Sequence, residues 1–394
     1  MSLLECAKKH NVSIDIIEYL KNTYSDDICN VISQFNIPSR FYYIRVNLLK
    51  TTPDELISLF KHKYNLTFYK DDVVSNAVYT LVKGPNEIPV YEKRVIADKV
   101  AAEAVYLGSD LYTPGVLQVD KIRKGDLVNI LTLKNQIVGA GIAQMNSLEM
   151  QKIKKGIAVK TVYSKYSTPN VSSLEEYSLG YFYSQSLPAI LVPHILNPIE
   201  KDIIVDACAS PGGKTTGVAE LLKNKGTIIA FDRSKRKVEK IRNHLTRLGL
   251  TNTRVVKANI LTFARLVKKE FATKILLDPP CSGLGLRPRL YDYRTLSELN
   301  AFAEYQKHLL KATYFMLKKD GLLLYSTCTI ARNENEDVVL WAINNLRLEP
   351  YEIPKKFRNI GDTPLSPDLA KTALRFNLTS QKTPGFFISL LRKY

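Results

Sequence analysis

The decamer DACASPGGKT, Asp206 to Thr215, stands between a short apolar run, Ile203–Val205, and a segment of helical character. A strand that breaks at a Gly-Gly turn and passes into a helix brings backbone close to a ligand. Glycine has no Cβ, and the first turn of a helix has unpaired N–H donors. The next apolar run, TIIAFD at Thr227–Asp232, ends in a carboxylate, which α/β nucleotide-binding folds place on both hydroxyls of a ribose. Outward from this pair, Arg254–Lys257, Lys274–Leu277 and Leu322–Ser326 read as further strands, and Ser234–Leu248 and Leu296–Leu317 as helices. The alternation predicts a parallel sheet with helices on both faces. Gly213-Lys214-Thr215 imitates the end of a phosphate-binding GxxxxGK[ST] loop. The first glycine of that motif would fall at Cys208, so an ATPase reading fails.

Two other strand ends carry chemistry. Asp278-Pro279-Pro280-Cys281-Ser282-Gly283 follows the strand KILL, and Ser326-Thr327-Cys328-Thr329 closes the strand GLLLYS. Ligand crevices of open α/β sheets lie at the carboxyl ends of strands, so Cys281 and Cys328 are expected to meet there. Both could be structural, but neither sits inside an apolar run as a packing cysteine does. Carbon 5 of cytosine is a poor nucleophile until a thiolate adds at C6; that covalent step divides one hard reaction into easier ones. A nearby cation such as Lys214 favours the thiolate, and a carboxyl such as Asp278 can stabilise charge on the ring near N3 and N4. Cys6 and Cys29, on helix-like segments, read as packing.

The chain has 394 residues, which suggests two or three domains, and 45% hydrophobic residues, enough for sizeable cores. Its formal net charge of +18 points to a polyanionic partner, nucleic acid above all. Five dispersed cysteines without CxxC argue against a disulfide framework or a cysteine-rich metal site. No secretory core and no run of ~20 apolar residues is present. The expectation is a cytoplasmic protein without metal or membrane partner. Phe41–Leu49 reads as a strand and Thr52–Phe60 as a helix with Pro53 in its first turn. Between residues 92 and 166, short strands such as Asp126–Leu133 and Gln136–Ala143 alternate with glycine turns and suit a small β-barrel. Ser164–Ser173 reads as a linker.

DACASPGGKT, DPPCSG and STCT, in this order and spacing, resemble the Sun-family RNA cytosine-5 methyltransferases. Gly180–Pro198 and Arg45-Val46-Asn47 resemble that family's lead-in to the cofactor strand and its N-terminal RxN element. The resemblance implies Cys328 as nucleophile and Cys281 as the residue that helps release product. It implies S-adenosylmethionine as cofactor, its methionine and ribose lined by Cys208, Ala209, Ser210, Pro211, Gly212, Gly213 and Lys214. Asp232 falls on the ribose, Lys237 reaches the same region, and Asp278 carries over directly. Asn259 stands where the family usually has an aspartate against adenine; its amide oxygen can still accept from an amino group. The inserted segment resembles a PUA domain through Val95–Gly115, Lys124–Asp126 and Gly156–Ala158. The branch of the family with this insertion methylates a cytidine near the CCA end of tRNA, at position 72, and holds the CCA terminus with the PUA domain. Gly108 and Tyr112 fall at its RNA-contacting positions, and Leu107 where that branch often has arginine.

The expected architecture is therefore an α/β, Rossmann-like class I methyltransferase domain (171–394), preceded by a small mixed N-terminal region for RNA binding or packing (1–91) and an inserted β-barrel PUA domain (92–166). The expected partner is the acceptor stem and CCA end of tRNA, bound by a monomer. The nearest alternative is the same chemistry on ribosomal RNA. A non-catalytic RNA-binding factor ranks lower, since it would need neither cysteine.

Overall fold

Every run read as a strand of the catalytic region hydrogen-bonds into one sheet. The computed structural model describes residues 2–267, 269–380 and 382–394. Its strands are Ile203–Asp206 (β1), Thr227–Asp232 (β2), Thr253–Lys257 (β3), Ala272–Leu277 (β4), Leu317–Thr327 (β5), Leu348–Pro350 (β6), Ala373–Phe376 (β7) and Phe386–Lys393 (β8). The order is β3-β2-β1-β4-β5-β8-β6, with β7 paired to β8 off this path. The first five strands are parallel. β8 runs antiparallel to β5, β6 and β7, so the sheet is mixed rather than purely parallel.

Residues one apart along a strand face opposite sides. Ile204, Leu276, Leu324 and Ile388 enter one core, and Val205, Leu277, Leu323 and Phe387 the other. Burial on both faces is why these strands read as continuous apolar runs. The helices between them are Gly213–Leu221 (α1), Lys235–Leu248 (α2), Ile260–Val267 (α3), Leu296–Tyr314 (α4) and Glu336–Asn345 (α5). Gly249, left-handed at φ 73°, stops α2. Thr295 and Glu298 cap α4 reciprocally. That helix ends at Tyr314, three residues before the expected Leu317, because Leu317 is already paired with Ala272 as the first residue of β5.

The chain crosses the boundaries expected from sequence in two places. Phe182–Ser184 pairs with Phe41–Val46 and joins a four-stranded N-terminal sheet with Ala77–Leu81 and Tyr69–Lys70. Conversely, the helices Leu3–Lys9, Ile14–Tyr24 and Ile28–Ser33 share a core with Leu284, Leu299 and Ile330 of the catalytic region, where Cys6 is fully buried and Cys29 packs beside it. The first strand stops at Val46 rather than Leu49, since Asn47 turns the chain: its Oδ1 accepts from Leu49 N–H at 3.1 Å and its carbonyl from Lys50 N–H at 3.0 Å.

The inserted segment forms a six-stranded sheet. Its strands Leu127–Leu131 and Ile137–Ala143 lie within the runs read from sequence, and Lys99–Tyr106 and Ser147–Lys152 form its helices. The expected linker starts one residue late, because Ser164 ends the strand Ile157–Ser164. This unit grips the catalytic domain through the chain that follows Cys281. Leu290 is buried in its core, Leu290 N–H donates to Glu103 Oε1 at 3.1 Å, and Lys99 Nζ lies 3.6 Å from Asp292. Burial opposes charge on Asp292, but Arg294, Arg289 and Lys99 hold its carboxyl down to about 2. Among the described residues, no helix is long and apolar enough to cross a membrane.

Candidate active site

Four loops meet at the carboxyl ends of β1, β2, β4 and β5. Because β4 and β5 are neighbours, the loops that follow them lie side by side, and Cys281 Sγ comes to rest 3.2 Å from Cys328 Sγ. Both thiols are free. The S–H of Cys281 facing Cys328 favours the thiolate on Cys328. Burial and Asp278 oppose it, Lys214 supports it, and the net effect lowers Cys328 below the ordinary thiol range. The same bond, together with burial, raises Cys281 well above that range. The contact thus favours the thiolate at Cys328 over one at Cys281.

Lys214 Nζ donates to Asp278 Oδ2 at 2.6 Å, and Ser326 Oγ donates to Asp278 Oδ1 at 2.9 Å. Burial disfavours the ammonium of Lys214, but Asp278 outweighs it and lifts the group above the usual lysine range. The cation therefore stays charged across the pH range of interest. Beneath it, Thr215 Oγ1 donates to Asp206 Oδ2 at 2.6 Å. Burial raises the Asp206 carboxyl to about 7.

Two adjoining hollows open here, sharing Cys208, Ser210 and Asp278. The first, of about 250 Å³, is walled by Ala207, Ile260, Leu309 and Tyr305, with Asp232, Lys237 and Asn259 at its polar end and Cys281 and Cys328 at the other. The second, of about 220 Å³, is lined by Ala209, Pro211, Gly213, Lys214 and the segment Tyr183–Ser186. Nearly every residue expected to touch the cofactor thus faces one continuous cleft. Gly212 is different: it makes the turn at φ 107°, and a Cβ there would point at Ile241 of α2. Asn259 is partly committed, because its Oδ1 accepts from Leu261 N–H at 3.0 Å, which leaves one lone pair and the amide donors. Cys208 is half-buried, with its thiol pushed up by burial. Gly108 and the exposed Tyr112 lie on the inserted domain, outside this cleft. Among the described residues, no group of three or more His, Cys, Asp and Glu side chains is arranged to hold a metal.

The RxN element does not face solvent or the cleft. Arg45 is 1% exposed. Its Nε and Nη2 donate to the two carboxylate oxygens of Glu220 at 2.9 and 3.0 Å, and its Nη1 donates to Gly213 O and Gln185 Oε1. Asn47 Nδ2 donates to Gly180 O and Leu248 O, each at 2.9 Å. The element fastens the N-terminal sheet to α1 and to the glycine turn.

Sequence reading missed Gln306, Glu334 and Asn335, all fully buried around the two cysteine loops. The only signal was the dense polar run Arg332–Asp337, which looks like a solvated helix start.

Residues 193–392 match the family described as 16S rRNA methyltransferase RsmB/F, and residues 93–163 match the PUA domain. The chain belongs to the RsmB/F family of RNA cytosine-5 methyltransferases. It is 39% identical over 385 residues, 96% of each chain, to the tRNA (cytosine(72)-C(5))-methyltransferase of Pyrococcus horikoshii. To the human tRNA (cytosine(72)-C(5))-methyltransferase NSUN6 it is 30% identical, covering 79% of this chain and 73% of the other. The crystal structure of NSun6 from Pyrococcus horikoshii with SFG, an analogue of S-adenosylmethionine, superposes with a TM-score of 0.88 at 38% identity over 98% of this chain and 99% of that one. RsmB/F enzymes use S-adenosylmethionine. The cleft fits it: a hollow walled by Ala207, Ile260, Leu309 and Tyr305, the Asp232 carboxylate at its polar end and a glycine turn at the head of α1, next to two free thiols.

Proposed function

We propose that this chain methylates carbon 5 of a cytidine in the acceptor stem of tRNA near the CCA end, through a transient bond between Cys328 and C6 of the base. The observation that carries this reading is the 3.2 Å contact of two free thiols at the end of a cofactor-shaped cleft, with the charge biased onto Cys328.

S-adenosylmethionine, when bound, supplies a methyl group on a sulfonium. Asp232, Lys237 and Asn259 would hold its ribose and purine, and the turn from Cys208 to Gly213 its methionine. Cys328 adds to C6 as a thiolate, and the C5=C6 electron pair becomes available at C5 for the methyl group. Lys214, held by its ion pair with Asp278, stabilises the negative charge that develops on the ring, and Asp278 accepts from the cytosine amino group. Once Cys328 is bonded to carbon, its negative charge is gone, and with it the leading cause of the raised Cys281 thiol. Cys281 can then give up its proton to solvent and, as thiolate, take the C5 proton. The C5=C6 bond re-forms and the C6–S bond breaks, returning the thiolate to Cys328.

The inserted domain holds the CCA terminus, with Gly108 and Tyr112 as contacts, and the +18 charge draws the phosphate backbone. Bisulfite sequencing of total tRNA and rRNA incubated with the protein and cofactor tests the assignment. A new 5-methylcytosine at the tRNA acceptor end, absent with Cys328→Ala, is expected. Signal confined to rRNA would overturn the substrate.

A further inference from the structure

We infer that Glu334 and Asn335 are positioning residues, one for each cysteine: Glu334 holds Cys281 in place for product release, and Asn335 holds Cys328 in place for attack. The inference rests on the roles just proposed for the two thiols.

The two residues are neighbours, the last of the 3-10 turn Arg332–Glu334 and the cap that follows it. Each reaches a different loop. Glu334 Oε2 accepts from the backbone N–H of Ser282, immediately after Cys281, at 2.8 Å. It also accepts from Gln306 Nε2 at 2.9 Å, and Gln306 Nε2 donates in addition to Pro280 O, immediately before Cys281, at 3.1 Å. Cys281 is thereby bracketed on both sides by one bonded pair of side chains. Asn335 does the same for Cys328 alone: its Oδ1 accepts from Thr327 Oγ1 at 2.5 Å, and its Nδ2 donates to Thr329 O at 3.1 Å. A further bond, Ser282 Oγ to Thr329 Oγ1 at 2.8 Å, ties the residues that follow the two cysteines to each other.

Glu334, Asn335 and Gln306 are fully buried. A buried carboxylate is retained at a cost unless its hydrogen bonds serve the structure around it. Burial raises Glu334, and the bonds from Ser282 and Gln306 pull it back. Tyr19 Oη, the remaining donor, lies 3.2 Å from Oε1 and touches neither cysteine loop. The arrangement gives each thiol its own nearest anchor. Loss of the Glu334 bonds loosens the Cys281 loop first and loss of Asn335 the Cys328 loop first, although Ser282 Oγ with Thr329 Oγ1 and Gly285 N–H with Cys328 O still couple the two.

The test is a denaturing gel of protein with tRNA and S-adenosylmethionine, alongside single-turnover methylation and alkylation of Cys328. Cys281→Ala serves as the reference for blocked release. Glu334→Ala and Glu334→Asp, whose shorter carboxylate falls back from Ser282, are expected to slow release at least tenfold and to accumulate a covalent protein–RNA species. Cys328 alkylation should fall no further than in Cys281→Ala. Glu334→Gln keeps an acceptor for Ser282 and should release like wild type. Tyr19→Phe loosens the same buried network without touching either loop and should give no adduct. Asn335→Ala combined with Cys281→Ala should form adduct at least tenfold more slowly than Cys281→Ala alone.

If Cys281→Ala forms no adduct, the assignment of the thiols fails. If Cys281→Ala forms one while the Glu334 variants release like wild type, or if Glu334→Asp slows attack instead of release, the positioning inference is overturned.

Discussion

Removing Cys281 should weaken Cys328 as a nucleophile even while it blocks product release. The S–H of Cys281, 3.2 Å from the partner sulfur, is the largest influence lowering Cys328. A hydrogen bond to a charged group is worth about 1.5–3 kcal/mol. A thiol is a weak donor, so the lower end applies. Since about 1.4 kcal/mol is a tenfold change in a protonation equilibrium, Cys281→Ala should raise the Cys328 midpoint. Below both midpoints the thiolate fraction, and hence the alkylation rate, should then fall about tenfold. The assay is the rate of iodoacetamide modification of the Cys328 peptide, followed by mass spectrometry across a pH series, in wild type and variant without cofactor or RNA. The rate in wild type should rise and level off at lower pH than in Cys281→Ala, with the gap closing at high pH. An unchanged or lower midpoint in the variant would refute support of the Cys328 thiolate by the Cys281 S–H.

Arg45→Met should be destabilising without touching a reacting atom. It leaves Glu220 buried without its Arg45 partner, and breaking a buried pair this way costs about 3–5 kcal/mol; a clear fall in melting temperature is expected, and an unchanged one would contradict a fastening role. RNA affinity should fall steeply between low and physiological salt, because lysine and arginine displace counterions from phosphates. Filter binding across a salt series measures the slope, and a flat response would remove the charge argument.

The motifs that made the site legible are local. Each is a strand end followed by a turn, and β4 and β5 need only be adjacent to bring Cys281 and Cys328 together. What was hidden depends on distant parts of the chain. β8 is buried almost throughout and gives a clear apolar run, but nothing in its residues says that it enters an otherwise parallel sheet antiparallel to β5. The helices over residues 3–33 look like a separate small unit, yet their apolar faces are complementary to Leu284, Leu299 and Ile330. Arg45 reads only as part of an N-terminal motif, and its role is visible only once Glu220 lies beside it. Glu334 and Asn335, lying in the run RNENED, have the composition of a surface turn. Only the partners from Ser282, Gln306 and Thr329 explain why such polar residues are buried.

The most direct measurement is the fate of the Cys281→Ala protein mixed with tRNA and S-adenosylmethionine and run on a denaturing gel. A slow-migrating protein–RNA band that disappears when Cys328 is also replaced by alanine is expected. Its absence, or its persistence in the double variant, would contradict a sulfur–pyrimidine bond at Cys328.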